Sequence, residues 1–144
     1  MDFILYTDGG ARGNPGPSGV GVAITDGEGN VVTTKHQGLG IGTNNEAEYK
    51  AVKLGVQTLK DCLGDEASRK NLELRLDSEL VAKQLLGLYK VKEERLKILN
   101  NEVKSLIQAY FPKLKITHVR REQNKLADEL ANTAMDEQEN RDNG

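Results

Sequence analysis

The sequence has very little cysteine and few aromatic residues. It holds one cysteine, Cys62, and no tryptophan among 144 residues, so neither an internal disulfide nor a cysteine zinc site can form. No run is long and apolar enough for a transmembrane helix, and the first residues lack the basic-then-apolar pattern of a signal peptide. These absences exclude a disulfide scaffold and favour a cytoplasmic protein. We expect Cys62 to be a buried thiol on the apolar face of a helix.

Charge is low overall and unevenly distributed. The net charge is −2, and 37% of the residues are hydrophobic, which is enough for one domain with a core. Residues 83–125 carry eleven Lys and Arg against four acids, whereas residues 126–144 carry one Arg and six acids. The basic stretch suits a surface for a polyanion, although lysines also simply solvate helices. We predict one domain over residues 1–135 and a charged, frayed tail over residues 136–144.

Hydrophobic periodicity predicts a mixed α/β fold. Apolar runs with β-forming residues predict five strands, at residues 2–7, 19–25, 31–40, 72–76 and 114–119. Helical spacing of apolar residues predicts four helices, at residues 43–63, 78–88, 93–110 and from 124 onward. This order predicts an antiparallel meander of strands 1–3, parallel strands 4 and 5, and helices on both faces of the sheet.

The first strand ends on an acid that is followed at once by glycines. Asp8 precedes Gly9 and Gly10, and more glycine and proline follow to about Ser18. A strand that ends here delivers Asp8 to the edge of the sheet, and the missing side chains leave room for a bulky polyanion. Asp-Gly is also a common turn dipeptide, so this stretch alone leaves both a turn and a site open.

Three further acids take comparable positions. Asp77 directly follows the fourth strand, Asp128 lies in the first turns of the last helix, and Glu48 lies near the start of the first helix. Thr43 and Glu46 form a capping box at that start, which gives Glu46 a structural role and leaves Glu48 without one. Asp77 and Asp128 also have an alternative role as residues that favour a helix N-terminus.

The predicted topology brings these four acids together. Right-handed crossovers place the fourth strand beside the first and parallel to it, so the acids meet at one edge of the sheet. Carboxylates that converge without a basic partner repel one another, and a divalent cation relieves the repulsion. Oxygen-only ligands suit Mg²⁺ or Mn²⁺. Enzymes that hydrolyse phosphodiesters commonly use two such ions, which activate water and stabilise the leaving oxygen.

With these residues placed, the chain resembles ribonuclease H of type 1, the nuclease that cuts the RNA strand of RNA/DNA hybrids. The resemblance covers residues 2–135 and has four ordered blocks, which are Tyr6 to Gly10, Thr43 to Glu48, Leu76 to Ser78, and His118 through Asn124 to Ala131. It implies a ribonuclease H-like fold and an endoribonuclease that leaves 5′-phosphate and 3′-hydroxyl ends. It also implies two Mg²⁺ ions held by Asp8, Glu48, Asp77 and Asp128.

The same resemblance implies roles for other residues. His118, ten residues before Asp128, matches the family's mobile-loop histidine, which helps proton transfer or product release; the alternative is a partly exposed strand-end histidine. Thr43 is implied to bind a phosphate of the DNA strand. The other implied contacts to the hybrid are Gly9, Gly10, Asn14, Asn44, Asn45 and Ser78. Neutral donors and bare backbone suit the reading of 2′-hydroxyls and base edges in a shallow minor groove.

Two features depart from the family pattern. The bend at residues 89–92 is too short for the basic protrusion that many members carry. Affinity for the hybrid must then be weaker and more salt-sensitive, or come from Lys83, Lys90, Lys92, Arg95, Lys97 and their neighbours. Glu79 stands where many relatives have a neutral or basic residue, which could alter preference at the scissile step.

Two other functions stay open from the sequence. One is a non-catalytic domain that binds hybrids or duplexes in the same cleft, and the other is a different nuclease on this fold, such as an exonuclease or junction resolvase. A monomer is expected, because no apolar stripe is left over on the predicted helices.

Overall fold

The computed structural model describes residues 1–143, which form a five-stranded sheet with helices on both faces. In chain order, the strands and α-helices are β1 (Phe3–Ala11), β2 (Gly16–Asp26), β3 (Val31–Gly42), α1 (Asn44–Leu63), β4 (Leu72–Leu76), α2 (Glu79–Leu85), α3 (Glu94–Tyr110), β5 (Lys115–His118) and α4 (Lys125–Asn143). Short 3₁₀ helices at Gly64–Arg69 and Arg121–Gln123 precede β4 and α4. Within this described range, no helix is both long and apolar enough to cross a membrane.

The strand order in the sheet is β3-β2-β1-β4-β5. β2 is antiparallel to both β1 and β3, whereas β4 is parallel to both β1 and β5. The predicted mixed sheet is therefore confirmed. The chain leaves β3 at one edge, crosses over through α1 and returns as β4 on the other side of β1, so β1 is the central strand.

β1 is longer than the sequence predicts. Its antiparallel pairing with β2 continues past Asp8 to Ala11, so the predicted glycine-rich loop shrinks to residues 12–15. Gly9 lies inside this strand, and α1 can approach it closely because it has no side chain: a Cβ atom on Gly9 would lie 2.3 Å from the carbonyl oxygen of Ala47. Glycine in a strand commonly marks such a close approach of another backbone.

The core lies between the sheet and α1, with α3 packed against the outer side of α1. The apolar stripe of α1 is fully buried and consists of Tyr49, Val52, Val56 and Leu59. Burial of each such side chain contributes about 1.5–3 kcal/mol relative to exposure. The stripe continues to the partly buried Leu63, whereas Cys62 lies beside it. The prediction of a buried thiol is therefore wrong, and Cys62 is exposed.

α4 covers the opposite face of the sheet, across β2, β3 and part of β1. The helix continues to Asn143, through most of the segment over residues 136–144 for which the sequence predicts a charged, frayed tail; residue 144 lies outside the described range. The tail is held because Gln138 is buried and Glu137 lies 3.2 Å from the ring of His36 on β3. Contacts across the sheet thus stabilise a segment whose composition suggests only a solvated helix end.

α2 is shorter than predicted. It ends at Leu85 rather than at residue 88, because Gly87 has φ of +77°, a left-handed conformation that terminates helices. The chain then forms the bend before α3, and the amide of Gln84 donates to the carbonyl oxygen of Lys90 at 3.4 Å. This contact fixes the bend to the end of α2.

Candidate active site

Parallel pairing brings two of the predicted acids to one edge of the sheet. Thr7 on β1 and Leu76 on β4 are Cα partners and form the last pair of their ladder. Asp8 and Asp77 directly follow these two residues, so both carboxylates emerge beside each other. Asp8 reaches this edge although β1 continues, because the ladder with β4 stops one residue before it.

The third acid is supplied by α1. Carboxylate oxygens of Asp8, Glu48 and Asp77 all lie within 4.8 Å of one another. Glu48 reaches this position because the start of α1 packs directly on Gly9, where a Cβ atom would lie 2.7 Å from the amide nitrogen of Glu48. The bare backbone at Gly9 therefore serves the approach of the helix as much as the approach of a substrate.

The cap of α1 differs in one detail from the prediction. The hydroxyl of Thr43 accepts from the amide N–H of Glu46 at 3.2 Å, as predicted. The carboxylate of Glu46, however, accepts from the Thr43 hydroxyl at 3.1 Å instead of from the Thr43 amide. Both bonding directions of the Thr43 hydroxyl are thus used within the cap.

The fourth acid, Asp128, lies at the start of α4 and lines the same cavity as the other three. It lies outside the three-acid cluster and has a basic neighbour, since Nη2 of Arg121 lies 3.6 Å from its Oδ1. The cavity has a volume of about 410 Å³, and its lining residues are Asp8, Gly9, Gly10, Ala11, Arg12, Asn44, Glu48, Asp77, Arg121, Asp128, Asn132 and Met135.

Asn124 ties three of the acids together. It is buried, and its side-chain amide donates to the carbonyl oxygen of Thr7, directly before Asp8, at 2.9 Å. The main-chain carbonyl oxygen of Asn124 accepts from the main-chain N–H of Asp128 at 3.0 Å. Burial raises the pKa of Asp77, and the side-chain amide of Asn124 offsets part of that rise. The sequence motif contained Asn124 but gave it no role at the site, because Thr7 and Asp77 are distant from it in the chain.

Burial and mutual repulsion keep the acids from ionising freely. Burial raises the pKa of Asp8 to about 7, with additional contributions from Asp77 and Asp128. Burial, followed by the charges of Asp8 and Asp77, raises the pKa of Glu48 well above its usual value. Burial also raises the pKa of Asp77. The Oε2 atom of Glu48 is buried without any hydrogen-bond partner, and an unpaired oxygen among carboxylates fits a ligand to a cation.

The predicted substrate contacts divide between this cavity and its surroundings. Gly9, Gly10 and Asn44 line the cavity. Asn14 supports Asn44, because its Oδ1 accepts from the Asn44 amide N–H at 3.0 Å. The Oδ1 atom of Asn44 in turn accepts from the amide N–H of Ala11 at 2.7 Å. These contacts hold the loop between β1 and β2 against the start of α1.

Other predicted contacts lie beside the cavity. Ser78 caps α2, where its hydroxyl accepts from the amide N–H of Val81 at 3.2 Å. Asn45 lines a neighbouring groove of about 530 Å³, whose other lining residues are Leu80, Gln84, Leu88, Tyr89, Lys90, Lys92, Glu93 and Leu96. Because Asn44 faces the cavity and Asn45 the groove, the start of α1 joins the two depressions.

The structure does not bring His118 into the cavity. His118 lies exposed at the end of β5, in register with Leu76. The basic residues that line the cavity are instead Arg121, from the 3₁₀ helix that follows β5, and Arg12, directly after the end of β1. The sequence drew attention to His118 because it matches the mobile-loop histidine of ribonuclease H proteins, which the chain resembles. Nothing in the spacing distinguished Arg121 from its neighbours.

Comparison with known proteins gives consistent results. A family model described as reverse transcriptase-like matches residues 6–134. Ribonuclease HI of Halobacterium salinarum is 39% identical over 132 residues, which are 92% of this chain and 63% of that protein. The bifunctional protein Rv2228c of Mycobacterium tuberculosis is 36% identical over 137 residues, 94% of this chain and 36% of that protein. The chain thus spans less than two thirds of both relatives.

Solved structures extend the similarity to the whole fold. LC11-RNase H1, isolated from compost, is 44% identical and superimposes with a TM-score of 0.91 over 95% of this chain and 98% of that one. The same relative has been solved in complex with an RNA/DNA hybrid, with a TM-score of 0.89 over 94% of this chain and 97% of that one. The chain therefore belongs to the reverse transcriptase-like family and, within it, to the ribonuclease H proteins of type 1.

Proposed function

We propose that this chain is a Mg²⁺-dependent endoribonuclease that cleaves the RNA strand of RNA/DNA hybrids and leaves 5′-phosphate and 3′-hydroxyl ends. The observation that carries this proposal is the cavity in which four carboxylates meet, three of them with oxygens within 4.8 Å. The hybrid complex of a relative that is 44% identical supports the choice of substrate.

The donor set fits hard divalent cations. Asp8, Glu48 and Asp77 would hold them, with Asp128 completing the set for a second ion, and oxygen-only sites of this kind prefer Mg²⁺ or Mn²⁺. The buried, unpaired Oε2 of Glu48 and the raised pKa of Asp8 indicate carboxylates that lack a counter-charge within the protein. When bound, two such ions activate water and stabilise the leaving oxygen.

The chain's own residues hold the phosphodiester for an in-line attack. Water loses a proton to solvent as its oxygen bonds to the phosphorus from the side opposite the 3′ oxygen of the RNA. The bond between phosphorus and that 3′ oxygen breaks, and the 3′ oxygen takes up a proton to become the 3′-hydroxyl end. Arg121 rather than His118 would contact the phosphate, because Arg121 lines the cavity beside Asp128 and its side chain is 78% exposed. Its guanidinium group suits a phosphate. A role for His118 in proton transfer or product release stays a prediction.

Two neighbouring asparagines suit a substrate with two strands. Asn44 faces the acid cavity and Asn45 faces the groove that contains Lys90 and Lys92. Neutral donors at this junction suit contacts with 2′-hydroxyls and base edges in the minor groove. The lysines of the groove suit the phosphates of the second strand.

The test is cleavage of an end-labelled RNA/DNA hybrid in Mg²⁺, beside single-stranded RNA, an RNA/RNA duplex and duplex DNA of the same sequence. We expect internal cuts in the RNA of the hybrid, lost with EDTA and in the Asp77→Asn variant. Tight binding of the hybrid without cleavage in Mg²⁺ or Mn²⁺ would identify a binding module instead. Preferential cleavage of DNA would contradict the proposed substrate.

A further inference from the structure

Glu79, at the start of α2, makes a contact that none of the chemistry above uses. Its Oε1 atom accepts from Nζ of Lys83 at 2.8 Å and from the hydroxyl of Tyr89 at 2.9 Å. Nζ of Lys83 also lies 5.0 Å from the centroid of the Tyr89 ring. One carboxylate therefore engages a lysine on its own helix and a tyrosine from the bend beyond that helix. We call these three residues the Glu79 cluster.

The Glu79 cluster lies beside both depressions of the proposed substrate surface. Glu79 is two residues from Asp77, which lines the acid cavity. Tyr89 lines the groove, together with Asn45, Lys90 and other residues. The bend that carries Tyr89 is anchored to α2 through the contact between Gln84 and Lys90. A nucleic acid that spans cavity and groove thus passes the Glu79 cluster.

We propose that Glu79 occupies Lys83 and Tyr89 as an internal competitor of a hybrid phosphate and so weakens the binding of hybrids. This inference rests on the proposed function. A carboxylate and a phosphate are alternative anionic partners for one lysine ammonium group. A phosphate that binds Lys83 must displace Glu79 or tolerate its negative charge nearby. Because the lysine is already neutralised, its contact with a phosphate also releases fewer counterions.

The inference predicts the effect of removing one charge. In an Asp8→Asn background, which prevents cleavage, Glu79→Gln frees Lys83 and Tyr89 without changing the size of the side chain. We expect binding of a fluorescent RNA/DNA hybrid to tighten about two- to five-fold, the range that corresponds to an exposed ion pair. The slope of log K against log salt should steepen by up to about 0.9, the value for one additional phosphate contact on duplex DNA.

Glu93 provides the matched control. It lines the groove that contains Tyr89 and is exposed, and its side chain makes no capping contact at the start of α3. Glu93→Gln removes the same charge from the surface without releasing a lysine. We expect it to change affinity and salt slope less than Glu79→Gln does.

A double variant separates release of the lysine from simple loss of charge. In a Lys83→Gln background, Glu79→Gln should change affinity no more than Glu93→Gln does. The inference is overturned if Glu79→Gln weakens binding or leaves it unaltered, if Glu93→Gln has an equal effect, or if the effect persists without Lys83. These comparisons require that the Asp8→Asn protein itself binds the hybrid. Failure of the chain with Asp8 intact to cleave the hybrid would instead overturn the proposed function.

Discussion

The acid cavity has two halves that differ in their surroundings. The inner pair, Asp8 and Glu48, has raised pKa values and includes a buried oxygen without a hydrogen-bond partner. In the outer pair, Asp77 faces the amide of Asn124, and Asp128 has Arg121 at 3.6 Å. Burial raises the pKa of Asp77 as well, but Asp77 and Asp128 are the acids of this cavity that face a basic side chain, Arg121. The inner pair is thus where a cation from solution has most to neutralise.

The largest effect expected from this difference concerns catalysis. Asp8→Asn removes a central ligand from the cluster without changing its shape. Loss of several kcal/mol of transition-state stabilisation corresponds to a decrease of roughly a thousandfold or more in the rate of hybrid cleavage. The measurement is single-turnover cleavage in Mg²⁺.

Asp128→Asn provides the comparison within the same cavity. Because Asp128 lies outside the three-acid cluster and has Arg121 beside it, we expect a smaller decrease, of about ten- to a hundredfold. Equal losses for the two variants would contradict the division of the cavity into two halves.

The second prediction concerns stability without metal. The folded-state pKa of Asp8, about 7, lies above its ordinary value of 3.8, so the folded chain binds this proton more tightly than the unfolded chain does. The corresponding stability is fully present below about pH 4 and is lost as the pH rises through about 7. At about 1.4 kcal/mol per pKa unit, an upper bound for the loss is on the order of 4 kcal/mol.

Thermal unfolding in EDTA between pH 5 and pH 8 measures this loss. We expect the wild-type melting temperature to fall over this range and that of Asp8→Asn to fall less, since the variant has no charge at this position. Mg²⁺ should remove most of the wild-type decrease, because a bound cation stabilises the ionised form. A wild-type decrease that is independent of both Asp8 and Mg²⁺ would oppose this assignment.

The third prediction concerns Asn124, which links β1, just before Asp8, to the start of α4. Asn124→Ala leaves the buried carbonyl oxygen of Thr7 without its donor, and we expect a loss of about 1–3 kcal/mol in the free energy of unfolding. Thr133 is the control, since its hydroxyl donates to the carbonyl oxygen of Glu129 at an exposed site. Thr133→Ala should change stability by less than about 0.5 kcal/mol. Similar values from denaturant unfolding of both variants would argue against a special role for Asn124.

The smallest expected effect distinguishes two basic residues near the outer pair. Arg121→Ala removes a charged group from the cavity, and we expect cleavage to slow about tenfold, equivalent to one charge-assisted hydrogen bond. His118 lies outside the cavity, so His118→Ala should slow cleavage by less than about threefold. Steady-state cleavage of the hybrid measures both, and a larger effect of His118 would favour the histidine role that the sequence resemblance implies.

Residues in strictly periodic segments were predictable from the sequence. The alternation in Leu72–Leu76 identified β4 at its observed bounds, and Thr43 identified the start of α1. The position of Asp77 followed from the end of that strand and from the parallel pairing that right-handed crossovers impose. Local sequence pattern was sufficient to predict these strand and helix bounds, and chain topology was sufficient to predict the position of Asp77.

Features that depend on contacts between distant segments were not predictable. Glycines suggested a loop after Asp8, whereas Gly9 lies in a strand, where its missing side chain lets α1 pack on it. The charged end of α4 suggested fraying, whereas contacts with β3 hold it. Asn124 and Arg121 gained their roles from partners that only the folded chain brings near. Tertiary contacts can override composition in this way.

The most direct test of the account is calorimetric titration of Mg²⁺ into the wild-type protein and the Asp8→Asn variant at pH 7, in buffers of different ionisation enthalpy. If the inner pair holds the cation, the wild type should bind Mg²⁺ and release protons as it does so, because Asp8 must ionise to act as a ligand. The variant should bind more weakly and release fewer protons. Equal affinity and equal proton release in both proteins would contradict the assignment of the acid cavity as a metal site centred on Asp8.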